Sequence, residues 1–140
     1  MADSIKKILV PLDGSKQSFN ALDRALILAG FTNAEITVLH VIPHIQQGGP
    51  RTKSIDKMMV EEGKTILDKA SKRSNRKKIK IRTKIIRGSP TTGTIKFANS
   101  GKFDHVVMST TGTGSTEKDM LGSVSNFLVH KSKIPVFLIK

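Results

Sequence analysis

Short apolar runs alternate along this chain with longer stretches in which apolar residues recur every three or four positions. The first run contains Ile8, Leu9, Val10 and Leu12, and residues 5–12 read as a strand. Phe19, Ala21, Leu22, Ala25, Leu26 and Ala29 follow at helical spacing, which predicts a helix over 15–30 ended by Gly30. A second strand is predicted at 35–42, and residues 43–53, with Pro43, Gly48, Gly49 and Pro50, read as a mobile loop. The next helix falls at 54–73, with Ile55, Met59, Ile66 and Ala70 on one face. Ile79, Ile81, Thr83 and Ile85 then alternate with Lys80, Arg82 and Lys84, the pattern of a strand over 78–86 with one wet face. Such a strand belongs at a sheet edge, where lysines discourage unwanted pairing. Gly88-Ser89-Pro90 opens a short helix that reaches to about Gly101, and Gly93 weakens it. A fourth strand at 104–109, a helix at 123–131 and a fifth strand at 134–139 complete the pattern. Strands that alternate with helices imply an α/β fold with a parallel sheet covered on both faces. Residues 1–140 read as one domain, without repeats or low-complexity tails.

Two of the predicted strands run into loops that could carry chemistry. The first stops at Asp13-Gly14-Ser15, just ahead of a helix, where Asp13 or Ser15 can cap free N–H groups. The fourth, Val106-Val107-Met108, leads into Ser109-Thr110-Thr111-Gly112, followed after nine residues by Gly122-Ser123-Val124-Ser125. A strand, a glycine-bearing loop and a helix start form a phosphate-binding arrangement: glycine permits close approach, and helix-start amides favour an anion. Taken alone, the same loop is also what a plain, solvated turn looks like.

In combination these landmarks resemble the universal stress proteins. The resemblance rests on Ile8-Leu9-Val10-Pro11-Leu12-Asp13-Gly14-Ser15 with its helix, on Val38-Leu39-His40-Val41, and on the late glycine motif. It also includes Asp104 ahead of the fourth apolar run and the terminal Ile134 to Ile139, so that it spans essentially the whole chain. It implies an open five-stranded parallel sheet in the order 3-2-1-4-5, Rossmann-like and of the adenine nucleotide alpha hydrolase type. It implies an adenine nucleotide, ATP or AMP/ADP, with Mg²⁺ or Mn²⁺, in a crevice between strands one and four. Pro11, Leu12 and Val41 match positions that border the base, and Asp13 matches the nucleotide-contacting acid and a metal ligand. Met108, Ser109, Gly112, Gly114, Gly122, Ser123, Val124 and Ser125 fall on the phosphate side, where Ser125 could offer its hydroxyl.

One position departs from the pattern: Ser109 stands where nucleotide-binding members carry the first glycine of their motif. If that position needs a positive φ, serine there costs on the order of 1 kcal/mol. If it needs only clearance, Ser109 either crowds the phosphates or donates its hydroxyl to them. The resemblance implies a stress-response regulator or switch, not an enzyme of high turnover, although slow ATP hydrolysis or self-phosphorylation stays open. It implies a homodimer through the apolar strand 134–139, which would otherwise be a bare edge, and a protein partner that the sequence does not identify. A member that has lost nucleotide binding and works through protein contacts is the alternative reading.

Composition adds constraints. The chain has no cysteine, which removes disulfides, thiolate catalysis and cysteine metal sites. His40, His44, His105 and His130 show no metal-like spacing, and His40 reads as a partly buried strand residue. No apolar segment approaches the roughly 20 residues of a membrane span, and residues 1–7 lack the core of a secretion signal, which predicts a cytoplasmic protein. The formal net charge of +13 is concentrated in residues 69–87, a stretch with no acid. That raises polyanion binding as a third reading. With no Tyr or Trp in the chain and no Phe within the stretch, the sequence argues against nucleic acid and for a solvated surface.

Overall fold

The computed structural model describes residues 4–43, 53–111 and 121–140. Its elements in chain order are β1 (Lys7–Pro11), α1 (Lys16–Thr32), β2 (Glu35–Ile42), α2 (Lys53–Arg76), β3 (Ile81–Arg87), α3 (Pro90–Ala98), β4 (His105–Ser109), α4 (Ser123–Lys131) and β5 (Val136–Ile139). All paired strands are parallel, and their order is β3-β2-β1-β4-β5, as the family resemblance implies. α1 and α2 cover one face, where Ile8, Val10, Ile36 and Val38 pack with Leu22, Leu26 and Ala70. α3 and α4 cover the other, where Leu9, Leu39 and Val106 meet Ile95, Ala98 and Leu128. Alternate residues of one strand therefore feed two separate cores, which is why the central strands read as unbroken apolar runs. Among the described residues, no helix is long and apolar enough to cross a membrane.

Several boundaries differ from the periodicity for local reasons. α1 continues through Gly30 to Thr32 and ends at Asn33, which takes the left-handed conformation (φ 58°) and returns its N–H to the Ala29 carbonyl at 2.8 Å. Asn tolerates that conformation at a helix end better than most residues. α2 runs on to Arg76, and β3 starts only at Ile81. Between them the amides of Lys77, Lys78 and Ile79 turn back onto the Ser74 and Asn75 carbonyls. The buried stripe of α2 is Gly63, Ile66, Leu67, Ala70 and Ser74, whereas Ile55, expected on the same face, is 39% exposed. Most of the expected loop at 43–53 lies outside the described residues.

At the N-terminal ends of the strands, Asp104 ties β4 to β1. Its Oδ2 accepts the amides of Lys6 and Lys7 at 3.0 and 2.9 Å, while its Oδ1 lies 2.9 Å from His105 Nδ1. The Asp104 amide in turn donates to the Lys7 carbonyl at 2.9 Å. Partial burial pushes the Asp104 carboxyl up, but the His105 hydrogen bond and the two amides outweigh it and leave the group more acidic than an ordinary aspartate.

Asp104→Ala should therefore lower stability by roughly 1–2 kcal/mol in urea denaturation, the cost of leaving two amides without their acceptor. The folded carboxylate is the more acidic form, so its contribution is fully present above the unfolded pKa of about 3.9 and is lost as pH falls through the lower folded value. The gap between wild type and variant should accordingly close in acid; a gap that widens there would contradict the assignment.

Candidate functional site

β1 pairs with β2 as far as Pro11 opposite Leu39, but with β4 only at Ile8 opposite His105 and Leu9 opposite Val106. Beyond Leu9 the two strands part. β1 leads to α1 on one face, and β4 leads to α4 on the other. A crevice at the carboxyl ends of neighbouring strands whose connections leave in opposite directions is where open α/β sheets bind ligands.

The β1 wall is built by the backbone around Leu12. Its side chain is 2% exposed in the α1/α2 core, its N–H donates to the Leu39 carbonyl at 2.8 Å, and its carbonyl lies 2.8 Å from His40 Nδ1. That nitrogen is therefore the donor of the half-buried imidazole. Asp13 is exposed at the mouth, with Oδ1 accepting the Ser15 amide at 2.8 Å. Ser15 Oγ accepts the Ser18 amide at 3.1 Å and caps α1. The capping role read for this turn is divided between the two: Asp13 shapes the turn, and Ser15 caps the helix. Gly14 between them has φ +92°, and a Cβ there would sit 2.8 Å from Ile66 Cδ1 of α2. Gly63 serves the same approach from within α2, where a Cβ would come within 2.9 Å of His40 Cδ2. Pro11 and Val41 are half-buried, and Val41 packs on the α3/α4 side.

The β4 wall turns on Thr110. Its N–H donates to the Ile139 carbonyl at 3.0 Å, and its carbonyl accepts both the Gly122 amide at 2.7 Å and Ser125 Oγ at 2.6 Å. One carbonyl thereby pins the far end of the loop to its beginning. The expectation that Ser125 offers its hydroxyl to phosphate is corrected here. Ser125 is 2% exposed, and its hydroxyl serves the Thr110 carbonyl and, at 3.1 Å, that of Gly122. The side chains of Met108 and Val124 belong to the α3/α4 core, which leaves only their backbones for a ligand. Gly112 and Gly114 lie outside the described residues.

Ser109 carries no strained backbone. It ends β4 opposite Ile139, is 7% exposed, and among the described residues only Asn33 and Lys78 are non-glycine residues with positive φ. Its hydroxyl donates to the Thr111 carbonyl at 2.5 Å. The strain account of this position therefore falls away, and Ser109 instead ties down the start of the loop.

α1 and α3 are capped by Ser15 and Ser89, but Gly122 occupies the cap position of α4, which therefore has no side-chain cap. The Gly122–Thr110 hydrogen bond holds this helix start, with exposed Ser123, beside the carboxyl end of β4, and a helix start favours an anion. Among the described residues there is no group of three or more His, Asp or Glu able to hold a metal. Asp13 alone fits Mg²⁺ only if phosphates and water supply the remaining ligands, which is how that ion is commonly held beside nucleotides. The periodicity did not reveal the Thr110 clamp, because it is made by a backbone carbonyl. The only trace in the sequence was Ser125, three residues beyond the glycine that starts α4.

The sequence model described as "Universal stress protein family" matches residues 4–140. A universal stress protein of Methanocaldococcus jannaschii is 33% identical over 141 residues, covering 96% of this chain and 82% of that protein. Among solved structures, the universal stress protein UspA from Lactobacillus plantarum superposes with a TM-score of 0.81 at 24% identity, covering 98% of this chain and 99% of that one. A universal stress protein in complex with cAMP gives 0.78 at 22% identity and covers 99% of both chains. At such identities the solved structures establish the fold.

Ser125→Ala should cost about 1 kcal/mol in denaturant unfolding by removing the clamp hydroxyl. Ser123→Ala, at the exposed neighbouring position, should stay within about 0.5 kcal/mol of wild type. Equal effects at the two positions would contradict the clamp.

Proposed function

The chain belongs to the universal stress protein family, and from that membership and the crevice geometry we propose that it binds an adenine nucleotide and acts as a ligand-responsive regulator. The observation that carries this reading is the pairing of an exposed carboxylate, Asp13, with an uncapped helix start, Gly122, at the ends of the two strands that part. An acid on one wall suits a ribose hydroxyl, and a helix start without a side-chain cap on the other suits phosphates. A structural relative bound to cAMP supports the choice of adenine. ATP with Mg²⁺ or Mn²⁺ is the form we favour, with Asp13 contributing to the metal through its carboxylate.

The reading as a regulator and not an enzyme of high turnover is supported by how the described side chains of the crevice are engaged. Among the described residues its hydroxyls at Ser109 and Ser125 are engaged by backbone carbonyls, and His40 is spent on Leu12.

ATP should bind with micromolar affinity, and a bulky residue in place of Gly122 should weaken it strongly. Ser109→Gly releases the Thr111 carbonyl and loosens the loop, and should weaken binding by up to about tenfold, near 1.4 kcal/mol. Calorimetry with magnesium checks both. No heat at millimolar ATP would refute nucleotide binding, and tighter binding by Ser109→Gly would show that the serine crowds the ligand.

We also propose a homodimer through β5. It is an edge strand, with Phe137 39% exposed and with Val129, 45% exposed, on the α4 that contacts it. Val136 and Leu138 pack into the protomer's own core, so Phe137 is the position to change. Phe137→Glu should sediment as a monomer where wild type sediments as a dimer; a wild-type monomer at tens of micromolar would overturn the interface.

A further inference from the structure

Outside the crevice, the first turns of α1 and the second half of α2 enclose a groove of about 460 Å³. Five cations line it: Lys16 from α1, and Lys69, Lys72, Arg73 and Arg76 from α2. The four on α2 are spaced i, i+3, i+4 and i+7, which puts them on one stripe of the helix. Arg73 donates to Asp23 at 2.6 Å and lies 4.9 Å above the Phe19 ring. Among the described residues the other four have no carboxylate partner.

Helix electrostatics accounts for only part of this arrangement. Arg73 and Arg76 lie in the last turn of α2, where a cation suits the negative helix end. Lys69 and Lys72 lie further in, and like charges at these spacings oppose one another. Lys16 sits in the first turn of α1, where the dipole disfavours a cation. Lys16, Lys69 and Lys72 thus add positive charge to the groove that neither a described carboxylate nor a helix end offsets.

We propose that this groove binds the phosphate backbone of a single-stranded nucleic acid without reading its bases. The stripe from Lys69 to Arg76 rises about 10 Å along α2, longer than one phosphate group. The basic run continues past the helix through Lys77, Lys78 and Lys80 with no acid between, so a linear anion longer than the groove would stay neutralised. Concavity favours a flexible strand over the convex rod of a duplex. The groove lining itself offers no exposed aromatic for stacking, since its one ring, Phe19, is 7% exposed beneath Arg73, and binding there therefore carries no sequence preference. A membrane surface would need exposed apolar groups to insert, and the groove has none.

The test is fluorescence anisotropy with a labelled 15-nucleotide dT strand, without ATP, from 50 to 200 mM KCl. Saturable binding should weaken with salt, with a log–log slope of roughly −2 to −4 if three to five phosphates are neutralised. Lys69→Glu/Lys72→Glu changes two exposed residues inside α2, away from its last turn. It should lower affinity at least tenfold and flatten the slope by about 1 per cation removed, with an unchanged melting temperature. Lys102→Glu/Lys133→Glu makes the same change in net charge away from the groove and should cost less than twofold. Equal losses in the two variants, no saturation at 50 mM KCl, or tighter binding of a 15-base-pair duplex or an inorganic polyphosphate would each overturn the proposal. None of these outcomes depends on nucleotide occupancy of the crevice.

Discussion

The Asp104 carboxylate holds the amides of Lys6 and Lys7 at the base of the sheet, and from that tie the pairing of β1 with β4 extends for only two residue pairs. Everything at the opposite end follows from this short seam. Because the strands are fastened below and part above, the first strand can deliver Asp13 to one wall of a crevice. The fourth can deliver Ser109 and Thr110 to the other. A longer seam would close the space; without the tie, two buried parallel strands would have little to set their register across the order reversal.

The crevice walls are made mainly of backbone. Leu12 contributes a carbonyl and an amide, Thr110 a carbonyl, and the start of α4 its first amides, which no side chain caps. Backbone groups are costly to leave unsatisfied, so most are locked by Leu39, His40, Gly122 and Ser125. The amides at the head of α4 stand apart as donors with no side-chain cap. Two glycines serve this construction: Gly14 lets the β1 turn pass beneath Ile66, and Gly63 lets α2 approach His40 despite its cost within a helix. α2 is thereby packed directly against the β1 wall, and its outer side carries the basic groove.

Much of this was legible in the chain. β2 and α4 fell where hydrophobic spacing put them, and the lysine-bearing strand proved to be the edge strand β3. The strand order came from family resemblance, because periodicity contains no information on which strands are neighbours. Helix ends were harder to read. Gly30 looked like a stop but sits within α1, since Asn33 supplies the left-handed turn four residues past Ala29, the last buried position. Ser125 looked able to offer its hydroxyl to phosphate because it fits the family pattern that continues from the glycine motif into the helix. Its burial and its bond to Thr110 are long-range facts that spacing cannot encode. Ser109 was read against a glycine whose backbone requirement this fold does not impose.

The central claim is that an adenine nucleotide spans the gap between β1 and β4. Amide hydrogen exchange with and without ATP and magnesium tests it most directly, since the amides concerned are on the backbone. Protection confined to peptides covering residues 10–15, 109–111 and 121–126 is the predicted result. Unchanged exchange in those segments, or protection appearing instead along residues 66–76, would contradict the account.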